Sequence, residues 1–224
     1  MPPRVAGSPG NFLMSDLQVS THPLVAHHVC TLRNPATRPS EFRRVVRQLT
    51  RLVAVEATAS LPTHAVHVPT PLGGAAGRQL TDRIAIVPIL RAGLGMADGL
   101  LELIPDAEVW HVGLYRDEAT LQPKEYYNKL PRKLAATVAI VVDPMLATGG
   151  SAVRTCEILK AAGIPRIVFV ALIASPQGVE TLARGIPGVA IHVAALDEGL
   201  NDSGYIVPGL GDAGDRQFGT VPAE

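Results

Sequence analysis

Residues 141–152 have the sequence VVDPMLATGGSA. The apolar run Val138–Val142 does not alternate with polar residues, which is typical of a strand buried on both faces of a sheet. Asp143 follows that strand, and Thr148-Gly149-Gly150-Ser151 leads into a predicted helix over about 152–162. Glycines let a backbone approach an anion closely, and a helix N-terminus offers free N–H groups and a partial positive charge. The stretch therefore predicts a phosphate-binding loop with a carboxylate at its entrance.

This loop differs from the two most familiar nucleotide-binding motifs. No Lys follows its glycines, as a Walker P-loop would require, and the G-x-G-x-x-G spacing of dinucleotide sites is absent. A glycine-rich turn without a ligand is the competing interpretation. The buried strand and Asp143 in front of the glycines favour the phosphate loop.

The chain around the loop alternates short apolar runs with helical patterns. This order predicts an α/β fold with a doubly wound, mostly parallel sheet, whose ligands bind at the carboxyl ends of the strands. Residues 61–77 contain Pro and Gly and predict short strands and turns. Ser40 and Ser175 are predicted N-caps. The predicted strands are 84–87, 109–115, 138–142, 167–174 and 189–194, and the predicted helices are 40–59, 94–104, 152–162 and 176–185.

Composition narrows the class of protein. The 224 residues are 47% hydrophobic and 18% charged, which predicts one folded domain over residues 19–224. Twenty basic and twenty acidic side chains give no net charge, which argues against a protein that holds long nucleic acid by bulk charge. Residues 1–18 are predicted to be a disordered extension without a signal peptide, and the longest apolar run, 167–174, is too short for a membrane span. We therefore expect a cytoplasmic protein with no membrane or nucleic-acid partner.

Cysteine and histidine usage points away from a metal cage. Cys30 and Cys156 show no C-x-x-C spacing, so both are predicted to pack as small apolar groups. The seven histidines have no ligand-like spacing.

Charge is unevenly distributed along the chain. Residues 1–60 contain seven Arg and three acids, whereas residues 197–224 contain six acids and only Arg216 as a base. Solvated faces are the favoured interpretation, and subunit contacts are the alternative.

Two further loops carry arginines after predicted strands. Residues 87–99, VPILRAGLGMADG, place Arg91 on a glycine-flanked loop, where a guanidinium can bond two oxygens of a diphosphate. Residues 114–123, LYRDEATLQP, place Arg116 at another strand end. An isolated arginine after a strand is more often a surface residue, so these assignments depend on the wider pattern.

The phosphate loop resembles that of the type I phosphoribosyltransferases. The family's usual second acid is replaced here by Pro144, a departure that matches the uracil phosphoribosyltransferase branch. Residues 204–215, GYIVPGLGDAGD, closely resemble the uracil-reading segment of that branch. The resemblance covers about 19–219 and implies a base-binding hood over about 196–219, expected to be mostly loop, and a protruding arm that contacts a partner subunit.

The resemblance also implies an activity and a set of site residues. It implies conversion of uracil and 5-phosphoribosyl 1-diphosphate (PRPP) to UMP and diphosphate, in pyrimidine salvage, with Mg²⁺ held mainly through PRPP and Asp212 as a ligand through water. The implied catalytic residues are Asp143, Arg91 and Arg116. The implied PRPP-binding residues are Arg91, Arg116, Asp143, Pro144, Met145, Leu146, Ala147, Thr148, Gly149, Gly150, Ser151 and Asp212. The implied uracil-binding residues are Ile206, Gly211, Asp212 and Ala213.

Two other functions remain open at this stage. One is a PRPP-sensing regulator that binds RNA and would need a basic face. The other is a transferase for a different base, which would need a different segment at 204–215. The sequence also leaves open whether GTP is an effector and whether the chain forms a homodimer or a homotetramer.

Overall fold

The structure, a computed structural model, describes residues 17–116, 123–131 and 134–220. Helices within these ranges are α1 (Pro23–Arg33), α2 (Pro39–Thr58), α3 (Leu94–Leu103), α4 (Gly150–Ala161), α5 (Pro176–Gly185) and α6 (Ala213–Phe218). The strands are β1 (Leu17–Val19), β2 (Thr63–Thr70), β3 (Gly73–Leu80), β4 (Ile84–Pro88), β5 (Glu108–Val109), β6 (Val112–Arg116), β7 (Pro123–Asn128), β8 (Val138–Val142), β9 (Met145–Leu146), β10 (Arg166–Ala174), β11 (Ala190–Leu196), β12 (Gly199–Leu200) and β13 (Ile206–Val207).

A parallel sheet forms the centre of the molecule. Its strands lie in the order β1-β11-β10-β8-β4-β5, and β9 pairs with the end of β10. Alternate side chains of β8 enter different cores: Val138, Ile140 and Val142 pack with α1, α2 and α3, while Ala139 and Val141 pack with α4 and α5. Helices on both faces confirm the predicted doubly wound α/β fold.

Most predicted elements are present with small shifts at their ends. Ser175 caps α5 as predicted, accepting from the Gly178 N–H. The predicted cap at Ser40 is wrong, because α2 begins at Pro39 and Arg38 is its N-cap residue. Proline fits the first turn of a helix because its missing N–H would have no partner there.

Three other expectations need correction. The predicted strand 109–115 is two strands, because β5 joins the central sheet whereas β6 pairs with β7 in a separate hairpin. Helix α1 was not predicted, and Leu17 and Gln18, expected in the extension, pair with β11. Cys156 is buried as expected, but Cys30 is exposed.

The hairpin of β2 and β3 stands away from both cores. Most of its residues are exposed and none is buried, and Leu72 at its turn is fully exposed. This confirms strands and turns after α2.

Candidate active site

The carboxyl ends of β4 and β8 meet and place two of the predicted loops together. Pro88 pairs with Val142 in register, and the Ile89 N–H donates to the Val142 carbonyl at 3.0 Å. The loop after β4 then folds back on the end of β8: a Cβ on Gly93 would lie 2.6 Å from the Val142 oxygen. Only glycine fits there, so the loop that carries Arg91 lies beside Asp143.

The loop after β8 is fixed by β10 and α5. The Pro144 carbonyl accepts from the N–H groups of Leu172 and Ile173, and the Ser175 hydroxyl donates to the Ala147 carbonyl at 2.6 Å. Pro144 therefore shapes the loop through its carbonyl, and its side chain is buried.

A small pocket of about 120 Å³ opens at this loop. Gly149, the N-cap of α4, has φ +83°, and a Cβ there would lie 2.8 Å from the Thr181 Cβ. The positive φ and the close packing both require glycine. The pocket lies in front of the α4 N-terminus, as the sequence predicts for a phosphate site. Its lining consists of Asp143, Met145, Leu146, Ala147, Thr148, Gly149, Ser151 and Ala152.

Asp143 is held in an environment that favours its neutral form. Burial raises the pKa of its carboxyl to about 7; the Met145 N–H opposes this, and the negative charge of Asp212 adds to it. The residue as a whole keeps partial exposure through the pocket. Two carboxylates therefore face the same site, which suits a cation or a hydroxyl-bearing ligand between them.

The C-terminal segment closes over the phosphate loop. A Cβ on Gly204 would lie 3.8 Å from the Thr148 methyl carbon, so the two segments are in contact. Ile206 and Ala213 are buried, whereas Gly211, with φ +77°, and Asp212 are exposed. The segment is mostly loop, as predicted, but it also contains α6, which begins immediately after Asp212. The Asp212 carboxylate caps α6 by accepting from the Asp215 N–H.

Arg91 reaches this segment directly. Its guanidinium pairs with the Asp215 carboxylate at 3.2 Å and lies 6.0 Å from the Phe218 ring centre. The Thr220 hydroxyl, chiefly, and Arg91 hold the pKa of Asp215 below its ordinary value. Arg91 is otherwise exposed and faces Asp212 across Gly214.

Arg116 is the last residue of β6, opposite Pro123 of β7. Its side chain is not among those described. The predicted arm extends to Leu130; residues 117–122 lie outside the described residues, and β7 is the part of the arm that is described. The structure therefore brings together the Arg91, Asp143 and Asp212 segments and leaves the contacts of Arg116 open.

Sequence reasoning missed the residues that anchor the hood. Arg33 at the end of α1 forms an ion pair with Asp197 and donates to the Gly209 carbonyl at 2.9 Å. The Gly209 N–H also donates to Asp197, at 2.9 Å. Asp197 follows β11 directly, and its position at the end of a predicted strand could have marked it as a site residue. No sequence pattern marks Arg33 in this way.

Comparison with known proteins identifies the family of this chain. The family model for uracil phosphoribosyltransferase matches residues 19–220. The chain belongs to the uracil phosphoribosyltransferase family. It is 56% identical over 207 residues to a uracil phosphoribosyltransferase of Roseiflexus castenholzii and 52% identical over 208 residues to one of Enterococcus faecalis; each match covers 92% of this chain and all of the relative.

Solved structures give the same assignment of fold. A protein of Aquifex aeolicus superposes with a TM-score of 0.85 at 36% identity, covering 92% of this chain and all of that one. A hypoxanthine-guanine phosphoribosyltransferase of Bacillus anthracis superposes with a TM-score of 0.50 at 12% identity, covering 71% of this chain and 80% of that one, and shows the shared fold alone. No helix among the described residues is long and apolar enough to span a membrane.

Proposed function

We propose that this protein transfers the 5-phosphoribosyl group of PRPP to uracil and releases diphosphate. The observation that carries the proposal is the contact between the phosphate loop at Thr148 and the base-reading segment at Gly204. That contact supports a phosphate site and a base site that lie within one nucleotide's length of each other. The 56% identity to a uracil phosphoribosyltransferase supports the same reaction.

The reaction exchanges one bond at ribose C1. The bond to the diphosphate oxygen breaks, the bond to the uracil nitrogen forms, and the uracil N–H proton is released to water. Positive charge develops on the ribose as the diphosphate departs. We assign Arg91, with Arg116, to the diphosphate, because guanidinium groups stabilise charge that builds on a leaving group.

Asp143 to Ser151 would hold the 5-phosphate and the ribose. The N-terminus of α4 and the Thr148 and Ser151 hydroxyls offer hydrogen-bond donors, and Asp143 orients the ribose hydroxyls. Because Asp143 exchanges its proton near neutral pH, it can accept or donate a hydrogen bond to a hydroxyl. Positioning and charge stabilisation supply most of the catalysis, and we assign no general base.

The residues present fit a magnesium ion that is held largely by substrate. Asp143 and Asp212 repel each other across the site, and carboxylate oxygens are ligands that Mg²⁺ prefers. No cluster of three acidic, His or Cys side chains suited to a metal occurs among the described residues. Asp212, through water, together with the PRPP oxygens would hold the ion. When bound, Mg²⁺ would neutralise charge on the diphosphate.

Uracil recognition is assigned to the backbone around Ile206, Gly211 and Ala213. The buried side chains of Ile206 and Ala213 fix this backbone, so that its N–H and C=O groups can read the edge of a flat ring. The amino group of cytosine would face a donor or leave a buried polar group unpaired, which costs binding free energy.

The assembly and its control belong to the same proposal. We propose a homodimer or homotetramer, supported by the exposed β2–β3 hairpin with Leu72 at its tip. Light scattering tests this directly. We also propose GTP as an effector and the cytoplasm as the location, and assays with added GTP and cell fractionation test these two proposals.

Two substitutions test the proposed site. Arg91→Ala should raise the PRPP KM and lower kcat, together reducing kcat/KM by about 100-fold, since it removes charge-assisted bonds to the leaving diphosphate. Asp143→Ala should reduce turnover to a similar extent. Arg154→Ala, on the exposed side of α4, is the matched control and should leave kcat/KM within about twofold. Wild-type UMP formation in both site variants would refute the site.

A further inference from the structure

Helix α6 contains a buried amide that touches both substrate loops. Gln217 is fully buried. Its Nε2 donates to the Ala92 carbonyl at 2.9 Å and to the Ala213 carbonyl at 3.1 Å. Ala92 adjoins Arg91 in the loop assigned to diphosphate, and Ala213 is in the segment assigned to uracil. One side chain therefore joins the backbones of the two half-sites.

Burying this amide lowers the stability of the fold. Its Oε1 is buried and accepts no hydrogen bond from the described residues. A buried acceptor without a partner lowers stability, whereas an apolar side chain of the same volume would avoid that cost. A merely space-filling role therefore explains Gln217 poorly, and its two donated bonds are the gain that offsets the cost.

Helix α3 is shaped to admit the amide. A Cβ on Gly95 would lie 2.1 Å from the Gln217 Oε1, so only glycine leaves room for it. Gly95 lies in the first turn of α3, immediately after the Arg91 loop. A movement of that loop would therefore press on Gln217 and be passed to Ala213.

We propose that Gln217 is a positioning residue that couples the diphosphate half-site to the uracil half-site. A ligand that orders the Arg91 loop sets the Ala92 carbonyl, and Gln217 then holds the Ala213 backbone in its uracil-binding position. The inference rests on the proposed function, since it assigns the two loops to those substrates. Its consequence is that each ligand tightens the binding of the other.

Calorimetric titration with an unreactive pair of ligands tests the coupling. Uracil is titrated into the full-length protein with and without magnesium diphosphate, which lacks the ribose and cannot react with it. In the wild type, diphosphate should lower the uracil Kd by about fivefold or more. In Gln217→Met, which keeps the volume and removes the amide, that factor should fall below about twofold. At saturating PRPP and uracil, kcat should stay within about threefold of the wild type, because substrate then holds both loops.

Two further variants separate coupling from general damage. Thr50→Val removes a buried hydroxyl that donates to the Val46 carbonyl at 2.8 Å within α2, and it should keep the wild-type coupling factor. Gly95→Ala displaces the amide without changing Gln217 and should lose the coupling even if Gln217→Met fails to fold. A wild type without coupling, or a folded variant of Gln217 or Gly95 with the full factor, would overturn the inference. Absence of UMP formation by the wild type would instead refute the proposed function.

Discussion

Asp143 is a carboxylate in a place that disfavours its charge. Its pKa of about 7 in the folded protein exceeds the ordinary value of 3.8 because of burial and the neighbouring Asp212. The folded state therefore binds this proton more tightly than the unfolded chain does. The free energy of unfolding should fall as pH rises from about 4 to about 7 and remain lower above that range.

Asp143→Asn should remove this penalty in the ligand-free protein. The full shift corresponds to about 4 kcal/mol, and partial exposure of the residue reduces it, so we expect about 1–3 kcal/mol of added stability at pH 8. The gain should shrink toward zero as the pH approaches 4. Urea unfolding at pH 5, 6.5 and 8 measures it, with Asp98→Asn, an exposed carboxylate on α3, as control. A variant that is no more stable than the wild type at pH 8 would contradict the assignment.

Gly149 is the second residue whose environment makes a sharp prediction. Gly149→Ala must adopt φ +83° and also place its Cβ 2.8 Å from the Thr181 Cβ. Gly163→Ala has φ +94° with nothing within 4 Å, so it isolates the cost of the backbone conformation. We expect Gly163→Ala to cost about 1 kcal/mol of stability and Gly149→Ala about 2–4 kcal/mol. Only Gly149→Ala should raise the PRPP KM. If both variants changed stability and KM equally, the close packing of Gly149 against Thr181 would be contradicted.

At the scale of elements, the hood is fixed by the end of α1. Hydrogen bonding to Asp197, chiefly, raises the pKa of Arg33 above its ordinary value, so the ion pair persists across the working pH range. The Asp197 side chain is 3% exposed, and its oxygens also hold the Gly209 backbone. Removing Arg33 would leave this carboxylate buried without its counter-ion.

Arg33→Met should therefore loosen the uracil side of the site. We expect a loss of about 2–4 kcal/mol in the free energy of unfolding and a uracil KM raised about tenfold, with a smaller change in the PRPP KM. Arg44→Met breaks an exposed pair with Glu41 and should cost less than about 1 kcal/mol, with both KM values unchanged. Steady-state kinetics and urea unfolding supply both readouts. Equal changes in the two KM values would argue against a hood-specific role.

The sequence pattern predicted most helices and strands, but it did not predict those that depend on contacts between distant parts of the chain. Buried parallel strands such as β8 carry an unmistakable apolar run, and Ser175-Pro176 fixes the start of α5 through local chemistry. Helix α6 was not predicted because several glycines lie at and before its start. It is stabilised by the Asp212 cap and by Arg216 in its last turn. Among site residues, Asp143 and Arg91 were found from strand ends. Gln217 was not, because a buried amide carries no local signal.

At the scale of the whole molecule, part of the uneven charge along the chain is compensated within the fold. Arg216 of the acidic segment donates to the Leu32 and Asn34 carbonyls at the end of α1, and its guanidinium lies 4.5 Å from the Phe42 ring centre. Arg33 of the basic N-terminal segment forms an ion pair with Asp197 of the acidic C-terminal segment. The basic N-terminal and acidic C-terminal segments are thus packed together, so the solvated-face interpretation was wrong for these residues.

A protein without net charge can hold an anionic substrate where a few positive groups are placed locally. The proposed anion site is of this kind, with Arg91 and the α4 N-terminus beside the two carboxylates Asp143 and Asp212. The C-terminal segment contacts the phosphate loop at Thr148, which supports the proposal that one site takes both a phosphoribosyl donor and a base.

The proposed function depends most on uracil being the acceptor. The most direct measurement incubates the protein with PRPP, Mg²⁺ and, in separate reactions, uracil, cytosine, hypoxanthine or guanine, and identifies the nucleotides by mass spectrometry. We predict UMP with stoichiometric diphosphate from uracil, and no nucleotide above background from the other three bases. IMP or GMP as the main product, or no nucleotide from any of the four bases, would contradict the proposed transfer to uracil.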